Sequence, residues 1–276
     1  MTRWVALLLL AQTPLSIPGV VAAGTKVQLI AEGLQGADGL VAAPDGTLLF
    51  AEPNANRISR IDANGRVTPY LSNTNGTVAL AFDGNGRLIA AQAGNPQIAV
   101  LTPTRDVLAD AFDGQPLSRP NSLTVDRRGG VYFSDPHGVL YIRPDGDVVR
   151  VAADVESPGG VVLRPDEKSL YVANAAGGSL LAFDVGADGS LSGRRDVARV
   201  SNAAGLTVDS AGRVYVATRG GVQVLSPEGR LLGTIPIDGA QALAFGGRDR
   251  KMLFVTGRNA AWKIATQSQG LPDPSK

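Results

Sequence analysis

The sequence predicts an all-β fold, a six-bladed β-propeller with ring closure by the N-terminal strand of the mature chain. Three observations lead there: one phrase recurs six times, short β-prone runs alternate with glycine-bearing turns, and no stretch after the N-terminal segment carries a helical period. The phrase is two short apolar runs joined by a Gly/Asp turn. Its copies are GLVAAPDGTLLFAE (39–52), ALAFDGNGRLIAAQ (79–92), SLTVDRRGGVYFSD (122–135), GVVLRPDEKSLYVAN (160–174), GLTVDSAGRVYVAT (205–218) and LAFGGRDRKMLFVTG (243–257). Gly46, Gly86, Gly129 and Gly212 stand in the turns, where a tight hairpin needs a positive φ. A third and usually a fourth run follow each phrase, as in RISRID (57–62) and RVTPYL (66–71). Six units of four antiparallel strands make a propeller, whereas a sandwich of hairpins would not repeat one phrase six times. The sixth unit lacks a run after AAWKIA (260–265); KVQLIAEG (26–33) can supply it and join the two ends of the chain.

The flanks and the composition bound the function. Residues 1–23 read as a secretory signal peptide: Arg3, an apolar run from Trp4 to Ala11, and Val21-Ala22-Ala23 before Gly24 as a small-residue cleavage pattern. That run is far short of the roughly 20 residues a membrane span needs. The expected organisation is a signal peptide over 1–23, one propeller over 24–267 and a flexible tail over 268–276, in a periplasmic or secreted protein. The chain has 276 residues, with 26 Lys plus Arg against 25 Asp plus Glu, and this balance gives no basic footprint for nucleic acid. The absence of cysteine excludes disulfides, thiolate metal sites and Cys nucleophiles, and the single histidine, His137, excludes a His-rich zinc site. The expected protein is a monomer acting on a small molecule, with no nucleic-acid partner and no membrane partner after signal cleavage.

In a propeller the first strand of each blade lines the central channel, so the residue entering it stands at one mouth, and the end of the second strand returns there. The entering positions read Asp38, Val78, Asn121, Gly159, Ala204 and Ala242; the returning positions read Glu52, Gln92, Asp135, Asn174, Thr218 and Gly257. Units one to four thus bring oxygen donors to the mouth. Units five and six bring small residues, with Arg219 and Arg258 just beyond. Converging oxygens suit a hard cation such as Ca²⁺, or a polyhydroxy ligand held by hydrogen bonds. Glu52, Gln92 and Asn174 read as caps on blade edges, and Asp38 and Asn121 as site residues.

VLADAFDGQPLSRPNSLTVDRRGGVYFSDP (107–136), LYIRPDGDVVRVAADVESPGGVVLRPDEKSLYVAN (140–174) and FDVGADGSLSGRR (183–195) resemble the senescence marker protein/gluconolactonase, or regucalcin-like, lactonases. The resemblance covers essentially the whole chain after residue 23. It implies lactone ring opening at the channel mouth with a divalent cation, most simply Ca²⁺, polarising the carbonyl and an acidic residue activating water. The family's metal-binding Glu falls on Asp38 and the Asn of its Pro-Asn-Asp motif on Asn121, so Asp38 and Asn121 are the implied metal ligands. Arg119 and Asn121 are the implied substrate contacts. Its other Asn falls on Gly159 and its likely base on Ala204, which leaves the metal centre altered and makes Asp135 the candidate replacement base. His137, two residues on, reads as a solvated loop side chain. Two further readings stand beside the lactonase: a binding propeller that has lost the chemistry, and an interaction propeller of the NHL type, to which NANRISRID (54–62) is similar.

Overall fold

A strand has two faces, and in a ring of radially arranged sheets both faces meet a neighbour. That is why the second run of every phrase is apolar throughout instead of alternating. The computed structural model describes residues 15–271 except Pro44 and Ala63, and folds them into six four-stranded sheets. The strands entering the channel are Asp38–Ala42, Thr77–Phe82, Ser122–Val125, Pro158–Leu163, Leu206–Val208 and Ala240–Gly246. Each opens a sheet of antiparallel strands taken in chain order. The sixth sheet is completed by Gln28–Glu32, which pairs with Ala260–Ala265 through Gln28 opposite Lys263. The described residues hold no α-helix, only a short 3-10 turn at Pro53–Ala55.

Blade five shows the logic of the core. In Val214–Thr218, Tyr215 and Ala217 face one way into the cluster shared with blade six, while Val214 and Val216 face the other way into the cluster shared with blade four. The remaining clusters lie between other neighbouring blades in the same fashion, so the core is a ring of inter-blade seams. In blades two, three and five the hairpin between first and second strands is held by a buried aspartate, Asp83, Asp126 and Asp209. Asp83 accepts the amides of Asn85 and Arg87 and pairs with the Arg87 guanidinium at 2.7 Å. Asp209 does the same with Ala211, Arg213 and the Arg213 guanidinium at 2.6 Å. The Asp-x-x-Gly-Arg spacing puts the glycine where the turn needs a left-handed residue, with φ of 74° at Gly86 and 78° at Gly212.

Both flanks pack against the propeller where they are described. Residues 1–14 of the expected leader lie outside the described residues, but its remainder is packed. Ile17, Val20 and Val21 are 1%, 0% and 1% exposed and belong to the core shared by blades five and six. The Gln267 amide donates to the Val20 carbonyl at 2.8 Å and the Arg213 guanidinium to the Gly19 carbonyl at 2.9 Å. Ile17 lies against Gly233, where a Cβ would come within 2.8 Å of it. The expected tail is likewise ordered as far as Leu271: Ser268 is buried and bonded to the Tyr215 hydroxyl at 2.7 Å, and Gly270 bridges to Asp209. The two ends are held where they cover apolar residues of the last two blades. The remaining tail residues, 272–276, lie outside the described residues.

Candidate active site

Bulges shape the channel mouth. Thr77 pairs with Gln92 and Ala79 with Ala91, leaving Val78 without a partner; Ala240 pairs with Gly257 and Ala242 with Thr256, leaving Gln241 in the same situation. A bulged residue is released from the ladder; Val78 packs against the seam between blades two and three. The bulge at Gln241 corrects the last entering position. Ala242 is buried opposite Thr256, and Gln241 stands at the mouth in its place. The mouth therefore carries Asp38, Val78, Asn121, Gly159, Ala204 and Gln241, with a polar side chain retained in blade six. The signal that could have found Gln241 was the alignment of Leu243 with Leu40, Leu80, Leu123 and Leu206, which places Gln241 two residues ahead.

The inner strands approach closely beneath this rim. The Gly160 amide donates to the Ala204 carbonyl at 3.0 Å, and the Gly205 amide to the Gln241 carbonyl at 2.8 Å. A Cβ at Gly160 would lie 2.5 Å from the Ala204 oxygen, so glycine is required there by contact. Ser122 makes the same link from blade three, its hydroxyl accepting the Val161 amide at 3.1 Å.

Asp38 is half-buried, and its Oδ1 accepts the Gly39 amide at 2.9 Å. Burial pushes its carboxyl up to about 6, against the opposing pull of the Gly39 amide and the Arg258 charge. The Ala37 amide donates to the Arg258 carbonyl at 2.8 Å, which fixes that residue beside Asp38. In the same way the Gly239 amide holds the Arg219 carbonyl at 2.8 Å, close in the chain to Gln241. The Gln241 amide makes one long contact, 3.5 Å to the Ala240 carbonyl. Asn121 is exposed and its side chain bonds to none of the described residues; its main-chain amide donates to the Ser134 carbonyl at 3.0 Å.

Asp135 has a different task from the catalytic one expected of it. It is 1% exposed, and its Oδ2 accepts the amides of Ser118 and Arg119 at 3.1 and 2.9 Å. Its Oδ1 accepts the His137 amide at 3.1 Å and faces His137 Nδ1 at 2.5 Å. With both oxygens so engaged it is not open to a substrate or water; it positions the loop that delivers Arg119 and Asn121 to the mouth. The other returning residues cap hairpins, as expected of Glu52, Gln92 and Asn174. Glu52 is fully buried with the Arg57 guanidinium, the Ser59 hydroxyl and the Gln35 amide, and its carboxyl stays below the usual range because those donors outweigh its burial. Gln92 donates to the Thr74 carbonyl at 2.8 Å, and Asn174 accepts the Gly177 amide at 3.3 Å.

Below the mouth the channel is apolar. Leu40, Leu80, Leu123, Val161, Leu206 and Leu243 ring it and line a cavity of about 720 Å³, which extends to Asp45, Asp62 and Arg248 on the opposite face. The larger space and the polar rim are thus at different ends of one channel. The groups able to do chemistry are at the rim.

Residues 36–259 match the family described as SMP-30/Gluconolactonase/LRE-like region. The chain belongs to this family. It is 24% identical to a gluconolactonase of Zymomonas mobilis, over 89% of this chain and 83% of the relative. A solved gluconolactonase of Xanthomonas campestris superposes with a TM-score of 0.82 at 27% identity, covering 88% of this chain and 90% of that one. A calcium-binding regucalcin of Agrobacterium tumefaciens shares the fold, with a TM-score of 0.77 at 17% identity, covering 91% and 97% of the two chains.

That last relative raises the question of a cation at this chain's own mouth. A hard divalent ion wants several oxygens, commonly with more than one carboxylate among them. Here Asp38 is the only carboxylate among the six entering positions, Gly159 and Ala204 offer no side-chain oxygen, and the charge felt by Asp38 from Arg258 is positive. Among the described residues no three His, Cys, Asp or Glu side chains group as metal ligands. The donor set does not fit Ca²⁺: the expected ligands, Asp38 and Asn121, bring one carboxylate and one amide.

Proposed function

We propose that this member of the gluconolactonase-like family is an exported hydrolase that opens a sugar lactone or related ester at the Asp38 mouth. The observation that carries the reading is Asp38 itself: the one carboxyl among the six entering positions, half-buried and raised to about 6. At neutral pH such a group is mostly ionised yet binds a proton more readily than an ordinary aspartate, which suits a general base. In the proposed step a water attacks the lactone acyl carbon and gives its proton to Asp38. The bond from the acyl carbon to the ring oxygen then breaks, and the proton passes to the departing alkoxide. Asn121, Gln241 and Arg119 hold the ring, and Asp135 positions the Arg119–Asn121 loop through the two amides it accepts. Export rests on the leader-like run from Trp4 to Ala11.

The second reading, a small-molecule-binding propeller without turnover, is favoured by one observation: blades four and five bring only Gly159 and Ala204 to the mouth. One experiment separates the two. The purified protein is offered a panel of lactones with added Ca²⁺, Zn²⁺ or Mn²⁺ and with a chelator. Turnover that survives the chelator and is lost in Asp38→Asn supports the hydrolase as written. Turnover only with metal overturns the Asp38-base mechanism, and lactone binding without turnover supports the second reading.

A further inference from the structure

The space that the Asp38 mouth does not use lies towards the other end of the channel. The cavity of about 720 Å³ is lined by none of the six entering residues, so it is separate from the rim. Its inner wall takes one residue from each blade at a single register: Val41, Ala81, Thr124, Val162, Thr207 and Ala244. Each follows directly on the leucine or valine that rings the channel, and each is partly exposed. Four of the six are apolar, and Ala81 and Ala244 leave the bore wide. The Thr124 and Thr207 hydroxyls bond to none of the described residues. Each inner strand is also the edge of its sheet and keeps main-chain groups free along the bore. Further from the mouth the cavity spreads into the seam where the ring closes, against Ile30, Met252 and Phe254. No charged residue of the lining stands on an inner strand. Asp45, Asp62, Arg248, Arg250 and Lys263 come from turns and an outer strand, with both signs together.

We propose that this cavity is a second binding site, for a neutral, largely apolar small molecule bearing one or two hydroxyl or carbonyl groups. The inference does not rest on the hydrolase reading. Sites for small molecules are commonly cavities of about 300–1,000 Å³ with mostly apolar walls and a few polar groups, hydroxyls and main-chain edges among them. Water in this bore meets mostly hydrocarbon, so an apolar body that displaces it gains free energy. Thr124 and Thr207, on blades three and five, can each donate or accept a hydrogen bond and so orient the ligand by its polar group. A charged ligand is disfavoured, because it would leave water for an inner wall that holds no opposite charge.

The probes are 1-naphthol, neutral with one hydroxyl, and 1-naphthoate, its anionic counterpart, each titrated into the purified protein by calorimetry at neutral pH. 1-Naphthol is expected to bind saturably, one molecule per chain, with a dissociation constant below about 1 mM. 1-Naphthoate is expected to bind about tenfold more weakly or not at all. Ala81→Leu and Ala244→Leu, which fill the bore, are expected to weaken 1-naphthol by about tenfold or more. Asp38→Asn is expected to leave its affinity unchanged, which separates the cavity from the mouth. Should a leucine variant melt early, Thr124→Val with Thr207→Val keeps the volume and removes both hydroxyls, and is expected to weaken 1-naphthol several-fold. No saturable binding, equal binding of the two probes, or an affinity that moves with Asp38→Asn and not with the bore variants overturns the inference. None of these outcomes depends on lactone turnover, so the inference and the hydrolase reading stand or fall separately.

Discussion

Ile17→Ala tests whether the segment before Gly24 belongs to the folded protein. Ile17 is buried among Val20, Val21, Val222, Val224 and Ile235 of one cluster, and it fills the space left by Gly233. Truncating a buried isoleucine to alanine costs about 2–5 kcal/mol. The loss is capped, because a strap this short can leave its groove rather than tolerate a cavity; ordering its backbone already costs roughly 1–2 kcal/mol per residue. The lower part of the range, about 2–3 kcal/mol, is therefore expected. At roughly 2–4 °C per kcal/mol for a protein of this size, the melting temperature falls by about 4–12 °C. The assay is thermal unfolding of the protein expressed with its own N-terminus, with its intact mass measured first. A signal peptidase acts on the unfolded chain, so burial does not by itself protect the Ala23–Gly24 bond. The packing of Ile17 predicts that the mass retains it. A wild-type product beginning at Gly24 and melting no lower than a chain that keeps Leu15–Ala23 would refute the reasoning.

Further outcomes follow from the mouth. Asp38→Asn is expected to lower kcat for lactone opening by roughly 10²–10⁴. The wild-type rate should rise with pH through about 6 as Asp38 loses its proton. Because the folded protein holds that proton more tightly than the unfolded chain, Asp38 stabilises the fold below the ordinary carboxylate pKa and loses that contribution as pH rises through about 6. Asp38→Asn should therefore raise the melting temperature at pH 8 and leave it nearly unchanged at pH 4, and the opposite order would refute the burial argument. Asp135→Ala removes the acceptor for two loop amides; KM for the lactone is expected to rise several-fold more than kcat falls, the split of a positioning residue. Gly160→Ala drives a methyl against the Ala204 carbonyl and should cost about 1–3 kcal/mol by chemical denaturation.

The propeller was legible because its signals are local. Three of the six turns carry Asp-x-x-Gly, the apolar residues of each second strand occupy both faces, and six copies leave little choice of architecture. The resemblance placed Asp38, Arg119 and Asn121 at one mouth, and each lies at the start of an entering strand or just before it. Aligning the phrases on the ends of their second runs missed Gln241, because blade six pairs from Ala240 to Gly246 with a bulge at Gln241; aligning them on Leu243 recovers it. Nor could it assign Asp135. A serine-aspartate-proline end looks the same whether its carboxylate faces substrate or the amides of Ser118 and Arg119, and those amides are 17 and 16 residues away.

The sequence by itself determined the blade count, the strand order and the absence of cysteine chemistry, since repeats and turns need only neighbours along the chain. Tertiary structure decided the rest. It made a leader-like segment part of a hydrophobic seam, gave the mouth one ionisable carboxyl beside a guanidinium, and turned a candidate base into a buried anchor. The physical reason is common to all three: burial and charge depend on which blades meet, and residues as far apart as Ile17 and Gly233, or Asp38 and Arg258, meet only when the ring closes.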